Sequence, residues 1–369
     1  MAGKKGSKMS GAKIAIFVVE FLVIAALVFV LFKFVIPMTQ KTEESPTGLN
    51  VVSIEDVTPE ELGISEEVQQ AVESEESTMK GYLNIAFFGI DSTTSSVSSL
   101  EKGFRSDCIM ICSINQDTGD VKLCSVYRDT YLNTGNDTYQ KCNAAYAIGG
   151  GNAAVAMLNS NLDLDITNWI AVSYKGLADA VDSLGGVYID VDSAEIGHLN
   201  NYQSCVAEFL DRDYTPVKDT GYQLLDGLQV CGYCRIRYTA GDDFKRTERQ
   251  REVIQALLDQ AKLADVDTLV STFNKVSGSV LTTLDSDPLL SLVKNAANYT
   301  IVDQGGFPEE SMRTTGTIGA KGSCVIPVDL ESNVVWLHKF LFGDEDYQVS
   351  STVKTISEKV YSDTNSYLQ

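Results

Sequence analysis

Five arginines, Arg235, Arg237, Arg246, Arg249 and Arg251, fall within one short segment of a 369-residue chain whose formal net charge is −21. A guanidinium is planar, permanently charged and suited to forked contacts with phosphate oxygens. Arg235 and Arg237 stand at alternate positions and share one face of an extended segment. Arg246 and Arg249 share one face of a helix, with Gln250 beside them. Asp242 and Asp243 precede that helix, where a carboxylate can cap free backbone N–H groups. The segment alone also fits a solvated helix start in which Arg246, Arg249 and Arg251 pair with Glu248 and Glu252.

Charged residues at the ends of apolar runs favour the first reading. Leu83–Ile90 (LNIAFFGI) is an unbroken apolar run, expected as a buried central strand, and Asp91 follows it directly. Arg105-Ser-Asp107 opens a second strand, Asp107–Ile114, and Arg128-Asp129 closes a third, Val121–Val126. The turn Asn115–Asp120 between them predicts a hairpin. Sheets of α/β proteins place ligands at strand ends. Asp91 and Asp107 together with Arg105, Arg128 and the arginine segment are what a magnesium-bound pyrophosphate needs. Magnesium takes oxygen ligands from one or two carboxylates, from phosphates and from water. Arginines neutralise charge that spreads over a transferring phosphoryl group. Singly, each of these residues also fits an N-cap, a turn or a surface ion pair.

The elements that must position them read as mixed α/β. Helical periodicity covers Asn143–Leu162, weakened by Gly149, Gly150 and Gly151, and then Ser173–Leu184, Leu224–Val230 and Arg246–Leu263. Further helical pattern lies at Thr268–Val276, Pro288–Ala297 and Ser332–Phe342, and short strands are expected at Val187–Val191 and Cys324–Val328. Strands mixed with helices imply one α/β domain with a mixed sheet covered on both faces. Residues after Lys354 read as poorly tied down.

Upstream, lysines at 4, 5, 8 and 13 precede an apolar run from Ile14 to Ile36, interrupted by Glu20 and Lys33. Its length suits a bilayer-spanning helix, and it has no A-x-A cleavage pattern. The charge flanks place residues 1–13 in the cytoplasm and the bulk of the chain outside. Residues 37–80 are rich in glutamate and read as an acidic stalk that contains a short helix within Pro59–Glu73. The main domain is expected over 81–345 and a C-terminal tail over 346–369. A pI of about 4.4 argues against a nucleic-acid partner. Cys231 and Cys234 form C-x-x-C without a nearby histidine or second pair, which argues against zinc. Cys108, Cys112 and Cys124 read as small core residues. Outside the cell, the disulfide to expect joins Cys205 to Cys231 or Cys234.

In order and spacing, these pieces resemble the LytR–CpsA–Psr (LCP) family. The resemblance runs from about Leu83 to about Leu263. It rests on Gly89-Ile-Asp91, Arg105-Ser-Asp107, Ser125-Val-Tyr-Arg128-Asp129-Thr130, Lys141-Cys-Asn143-Ala-Ala-Tyr146 with Gly149-Gly150, and Asp182-Ser-Leu-Gly185-Gly186-Val187. Leu225-Asp-Gly227, Arg235-Ile-Arg237 and Asp243-Phe-Lys-Arg246 with Arg249-Gln250 complete it. The resemblance implies an α/β/α sandwich that encloses an apolar pocket for a polyprenyl tail, with Leu83–Ile90 and Asn143–Leu162 as candidate walls. It implies a membrane-anchored phosphotransferase that moves a glycopolymer, such as teichoic acid or capsule, from a polyprenyl-pyrophosphate carrier to peptidoglycan. By position, Asp91 and Asp107 would hold Mg²⁺ or Mn²⁺. Arg105, Arg128, Arg235, Arg237, Arg246, Arg249 and Gln250 would hold the pyrophosphate, and Asp243 or Asp129 would orient the acceptor hydroxyl or an arginine. Two positions depart from the pattern: Tyr127 stands where proline is common, and Lys245 where glycine is usual. A hydrolase using water as acceptor, and a non-catalytic lipid- or wall-binding regulator, are the alternatives.

Overall fold

The computed structural model describes residues 49–91, 100–237, 242–265, 268, 271–272, 275–284 and 300–368. The expected membrane span 14–36, the tail before it and the Pro288–Ala297 helix lie outside the described residues. The Thr268–Val276 pattern is described only in part. Among the described residues no helix is long and apolar enough to cross a membrane.

The apolar run beginning at Leu83 forms strand β2 (Tyr82–Ile90) at the centre of a seven-stranded mixed sheet. The order is β1 (Asn50–Val51), β10 (Val280–Thr282), β7 (Asn168–Ser173), β2, β3 (Ser106–Asn115), β4 (Asp120–Val126) and β11 (Thr300–Phe307). The expected hairpin is present: β3 and β4 pair antiparallel with Met110 opposite Ser125. Strand β2 is antiparallel to β3 and parallel to β7. Strands β7 and β11 had no clear signature in the sequence.

Side chains alternate across a strand, so one run serves two layers. Ala86, Phe88, Ile90, Ile109, Ile111 and Trp169 face one side and join the larger core. Ile85, Phe87, Met110, Cys112, Ile114 and Leu123 face the other. The first side is covered by α2 (Ala144–Leu162), α7 (Leu330–Phe342) and α8 (Ser351–Thr364). The second faces α3 (Tyr174–Ser183) and α6 (Asp242–Leu263) across a cavity. Behind α6 lie α4 (Ser193–Leu210), α5 (Gly227–Tyr233) and the hairpin of β8 (Val187–Val191) and β9 (Gly221–Leu225), sharing a third core. Small hairpins β5 (Tyr131–Asn133) with β6 (Tyr139–Lys141), and β12 (Arg313–Thr317) with β13 (Ser323–Pro327), flank the larger core.

Four expectations need correction. Helix α2 is no wall of the cavity: it lies on the opposite face, where the Tyr146 ring meets Phe88 at 5.2 Å. It bends at Gly149 and Gly150, both non-helical; position 150 needs glycine, since its φ is 71° and a Cβ there would stand 2.1 Å from the Glu101 carbonyl oxygen. Residues 49–80 do not form a free stalk. Strand β1 extends the sheet, and α1 (Glu66–Glu73) buries Val68 in the larger core beside Leu62, Ile64 and Met79. The acidity belongs to the outward face, and Ser65 caps the helix through the Val68 N–H. Residues after Lys354 are held rather than loose, because Val353, Ile356 and Val360 at helical spacing bury one face of α8. No disulfide joins Cys205 to Cys231 or Cys234: all three thiols are free, Cys205 exposed on α4 and the other two buried.

Candidate active site: an apolar cavity with an arginine mouth

The cavity between the sheet and the two helices has a volume of about 720 Å³. Its walls are apolar: Ile85, Phe87 and Met110 from the sheet, Leu177 from α3, Ile254 and Leu257 from α6. Cys108 and Cys112 also line it, and burial pushes their thiols up to about 11 and about 12, so they act as small apolar groups. At one end the lining becomes charged, with Asp91, Asp107, Arg235, Arg237, Arg246 and Gln250.

Fold elements converge on this mouth. Asp91 follows the C-terminal end of β2, and Asp107 is the second residue of antiparallel β3, at the same edge. Arg128 stands just past the end of β4, and Asp243 and Arg246 occupy the first turns of α6. Asp107 is the hub. Its Oδ1 accepts from Arg128 Nη1 at 2.5 Å and its Oδ2 from Arg237 Nη2 at 3.2 Å, while Arg246 Nη1 lies 3.9 Å away. Asp243 forms a second hub, 3.1 Å from Arg246 Nη2, 3.6 Å from Arg128 Nε and 3.8 Å from Arg237 Nε. Asp91 is met by Arg235 Nη2 at 3.8 Å.

Burial alone would raise the Asp107 carboxyl, but Arg128, Arg246 and Arg237 outweigh it and hold its pKa below the usual range. Burial lowers the Arg246 pKa, an effect that Asp243 opposes and neighbouring Arg128 reinforces. Among the described residues, Arg128 Nε, Arg235 Nη1, Arg246 Nε and Nη1, and Gln250 Oε1 are buried without a hydrogen-bond partner. Leaving a buried donor unmet costs about 1–3 kcal/mol, more when it is charged. Several such donors aimed around one mouth are what an anion with many acceptor oxygens would satisfy.

Two expected ligands sit elsewhere. Arg105 is exposed, is not part of the cavity lining, and meets Asp91 through its carbonyl, which accepts from the Asp91 N–H at 3.2 Å. Arg249 is buried and is not part of the lining. Its Nε donates to Glu195 of α4 at 2.7 Å and its Nη1 to the Ile236 carbonyl at 3.2 Å. It therefore holds the backbone between Arg235 and Arg237. Asp129 stands at the rim, 3.2 Å from Lys141 Nζ and 3.9 Å from Arg128 Nε.

Other contributors left no mark at sequence level. The Arg235 guanidinium lies 5.0 Å from the Tyr174 ring and 5.4 Å from the Tyr202 ring, an aromatic cradle drawn from α3 and α4. The departures from the resemblance are accommodated. The Tyr127 N–H donates to the Phe307 carbonyl at 3.0 Å, a bond proline could not make. Lys245 points outward to Glu248 at 2.9 Å.

The mouth holds two lining carboxylates, Asp91 and Asp107. Its carboxylates offer only oxygen donors, which fit Mg²⁺ or Mn²⁺ better than zinc. Among the described residues no cluster of three or more His, Cys, Asp and Glu side chains could hold a metal by themselves. Asp91 and Asp107 are the lining carboxylates that could contact a cation here.

Residues 52–324 match the model of the LytR_cpsA_psr family. The chain belongs to that family. The LCP match covers every strand of the sheet except β1, the cavity lining except Leu49, and the mouth. Over 242 residues the chain is 28% identical to the polyisoprenyl-teichoic acid–peptidoglycan teichoic acid transferase TagU of Oceanobacillus iheyensis, a match over 62% of this chain and 69% of that one. Matches to several curated relatives span between 48% and 72% of their lengths. Among solved structures, protein gbs0355 of Streptococcus agalactiae superposes with a TM-score of 0.60 at 22% identity, over 81% of this chain and 97% of that one. The LCP protein YwtF (TagT) with bound octaprenyl pyrophosphate lipid superposes with a TM-score of 0.52 at 19% identity, over 73% and 95%. At these identities the structures establish the shared mixed α/β fold.

Proposed function

We propose that this LCP protein is an anchored extracytoplasmic phosphotransferase that moves a glycopolymer from a polyprenyl-pyrophosphate carrier to peptidoglycan. The observation that carries this reading is one continuous space with two chemistries. An apolar cavity of about 720 Å³ suits a prenyl chain, and the arginine mouth with its unmet buried N–H groups suits a pyrophosphate. The names of the TagU relatives and the lipid in YwtF (TagT) support it. The apolar run Ile14–Ile36 supports an anchor, since a lipid-linked donor is confined to the membrane surface.

In this reading Arg128, Arg235, Arg237 and Arg246 grip the pyrophosphate, and Gln250 can donate to it through its amide Nε2. Asp243, embraced by three of those arginines, fixes their orientation. An acceptor hydroxyl attacks the phosphorus that carries the glycan. The new O–P bond forms as the bridging O–P bond to the prenyl-bearing phosphate breaks. Polyprenyl phosphate leaves with that electron pair, and the hydroxyl proton passes to a rim carboxylate or water. A divalent cation bound by Asp91 and Asp107 would neutralise charge on the departing phosphate. Because the arginines are preset, most of the rate gain comes from positioning and charge stabilisation.

The test uses the full chain in detergent with a polyprenyl-pyrophosphoryl sugar, with and without Mg²⁺, EDTA and peptidoglycan fragments. Polyprenyl phosphate release that needs metal, Asp107 and Arg237, and that rises with acceptor, is the expected result. Release indifferent to acceptor would make the protein a hydrolase. Tight lipid binding without release would make it a non-catalytic regulator.

A further inference from the structure

Arg313 lies beyond the arginine segment, on β12, yet it touches both chain segments that build the mouth. Its Nη1 donates to the Tyr127 hydroxyl at 2.9 Å and to the Pro308 carbonyl at 3.2 Å. Its guanidinium lies 4.0 Å from the Phe244 ring and 4.8 Å from the Tyr127 ring. The two rings meet edge to face, centroids 4.7 Å apart at 87°. Tyr127 immediately precedes Arg128, and Phe244 lies between Asp243 and Arg246. The pocket for the phenol is made by Gly306, where a Cβ would stand 2.2 Å from the Tyr127 hydroxyl oxygen.

We propose that Arg313 and Tyr127 are positioning residues, a clamp through which β11 and β12 set the separation between the Arg128 end of β4 and the Asp243–Arg246 start of α6. The two segments come from different layers of the fold. Arg128 itself meets the helix directly only through the 3.6 Å approach to Asp243; the hydrogen bond from Arg251 Nη1 to Ser125 Oγ, at 2.8 Å, ties β4 to α6 three residues before Arg128 and five after Arg246. A cation packed on both of two contacting rings, with a hydrogen bond to one of them, is stiffer than the Asp243 approach and lies one residue away on each side. A lysine would keep the charge but lose the planar face and the fork.

This inference rests on the transferase reading, and the experiment separates the two. With the full chain in detergent, Arg313→Ala should lower kcat about 30-fold, as expected for a displacement of catalytic groups by a fraction of an ångström. KM for the lipid substrate should stay within about twofold, because the prenyl tail in the intact cavity carries most of the ground-state affinity. Arg313→Lys should fail to restore kcat. Tyr127→Phe should cost several-fold, and adding it to Arg313→Ala should cost little more, since both break one unit. Inorganic pyrophosphate has no tail, so calorimetry should show its Kd rising about tenfold in Arg313→Ala. The clamp is overturned if folded Arg313→Ala keeps kcat and pyrophosphate affinity within twofold of wild type, if lysine restores both, or if the two substitutions add. Should the wild type release no polyprenyl phosphate, the transferase reading fails. The pyrophosphate arm then still decides the clamp: the tenfold loss supports it and unchanged affinity overturns it.

Discussion

The two faces of the central sheet are built from the same strands and end in opposite states. On one face Phe88, Ile90, Ile111 and Trp169 are packed under α2, α7 and α8. On the other, Phe87, Met110, Cys112 and Ile170 front a space that α3 and α6 roof over but do not fill. A packed interior leaves few voids larger than a water molecule, so an apolar hollow of this size marks a binding site. The difference arises from the covering helices. Glycines in α2 let it approach closely, with Gly151 against the Trp169 ring, whereas α6 is held off the sheet, its first turns tied to the charged mouth. A sheet thus makes a pocket when one cover is anchored by polar bonds and the other by close contact.

The largest effect should come from the charged end of the hollow face. Asp107→Ala or Arg237→Ala should lower polyprenyl phosphate release about 10²–10³-fold, the usual scale for removing a preset charge. Arg249→Ala offers the contrast. It leaves Glu195 buried without its cation, so its main effect should be a loss of about 3–5 kcal/mol in stability. Thermal unfolding beside turnover separates the two kinds of arginine. Equal loss of turnover in a fully folded Arg249→Ala would return it to the ligand set.

A second pair probes the faces themselves. Phe88→Ala on the packed face should cost about 3–5 kcal/mol. Phe87→Ala, one residue away and facing the hollow, should cost about 1 kcal/mol, because it removes less contact and leaves no sealed void. Enlargement should reverse the order of harm. Ala171→Phe on the packed face should cost about 1–3 kcal/mol or more. Ala180→Phe, which fills part of the cavity, should leave unfolding nearly unchanged and weaken binding of a prenyl pyrophosphate about tenfold. Equal destabilisation at the two alanines would mean that the hollow is closed in solution.

How far the sequence foretold this depends on the element. The strands Leu83–Ile90, Asp107–Ile114 and Val121–Val126 were legible because apolar runs bounded by polar turns have few other solutions. Asp91, Asp107, Arg128, Arg235, Arg237, Asp243 and Arg246 were gathered from strand and helix ends, and the structure brings them to one mouth. The resemblance supplied much of that gathering. Periodicity could not say which helix covers which face, since α2 and α6 are both apolar enough to bury a side. It could not separate Arg249 from Arg246 either, because both are buried and the partner that claims Arg249 lies 54 residues away on α4. Strand β11 was missed because its central stretch Asp303-Gln-Gly-Gly306 lacks an apolar alternation, and Gly305 and Gly306 are small to admit Trp336, Phe340 and Tyr127. Arg313 gave no signal, because its ion pair is with the exposed local Glu310 at 3.9 Å, while the partners that tie it to the mouth, Tyr127 and Phe244, are aromatic and distant in sequence.

The smallest effects concern two carboxylates near opposite ends of β2, whose signs should be opposite. Asp107, at the mouth, has its pKa held down by Arg128, Arg246 and Arg237 against the upward pull of burial. Its ionised form is therefore favoured by folding. That stabilisation is present in full above the unfolded value of about 4 and is lost as pH falls through the lower folded value. Asp165, which accepts from Asn84 Nδ2 at 2.7 Å, has its pKa raised by burial despite that bond. Its fold prefers the protonated acid, so stability is lost as pH rises from the unfolded value through the raised folded one. Asp107→Asn should then lower the unfolding temperature at pH 7 and lose most of that penalty near pH 2. Asp165→Asn should raise it at pH 7 and do little near pH 3. Unfolding curves of the three proteins across that range check both signs. Parallel curves would mean that the arginines at the mouth already have another anion to satisfy them, and that Asp107 is not their hub.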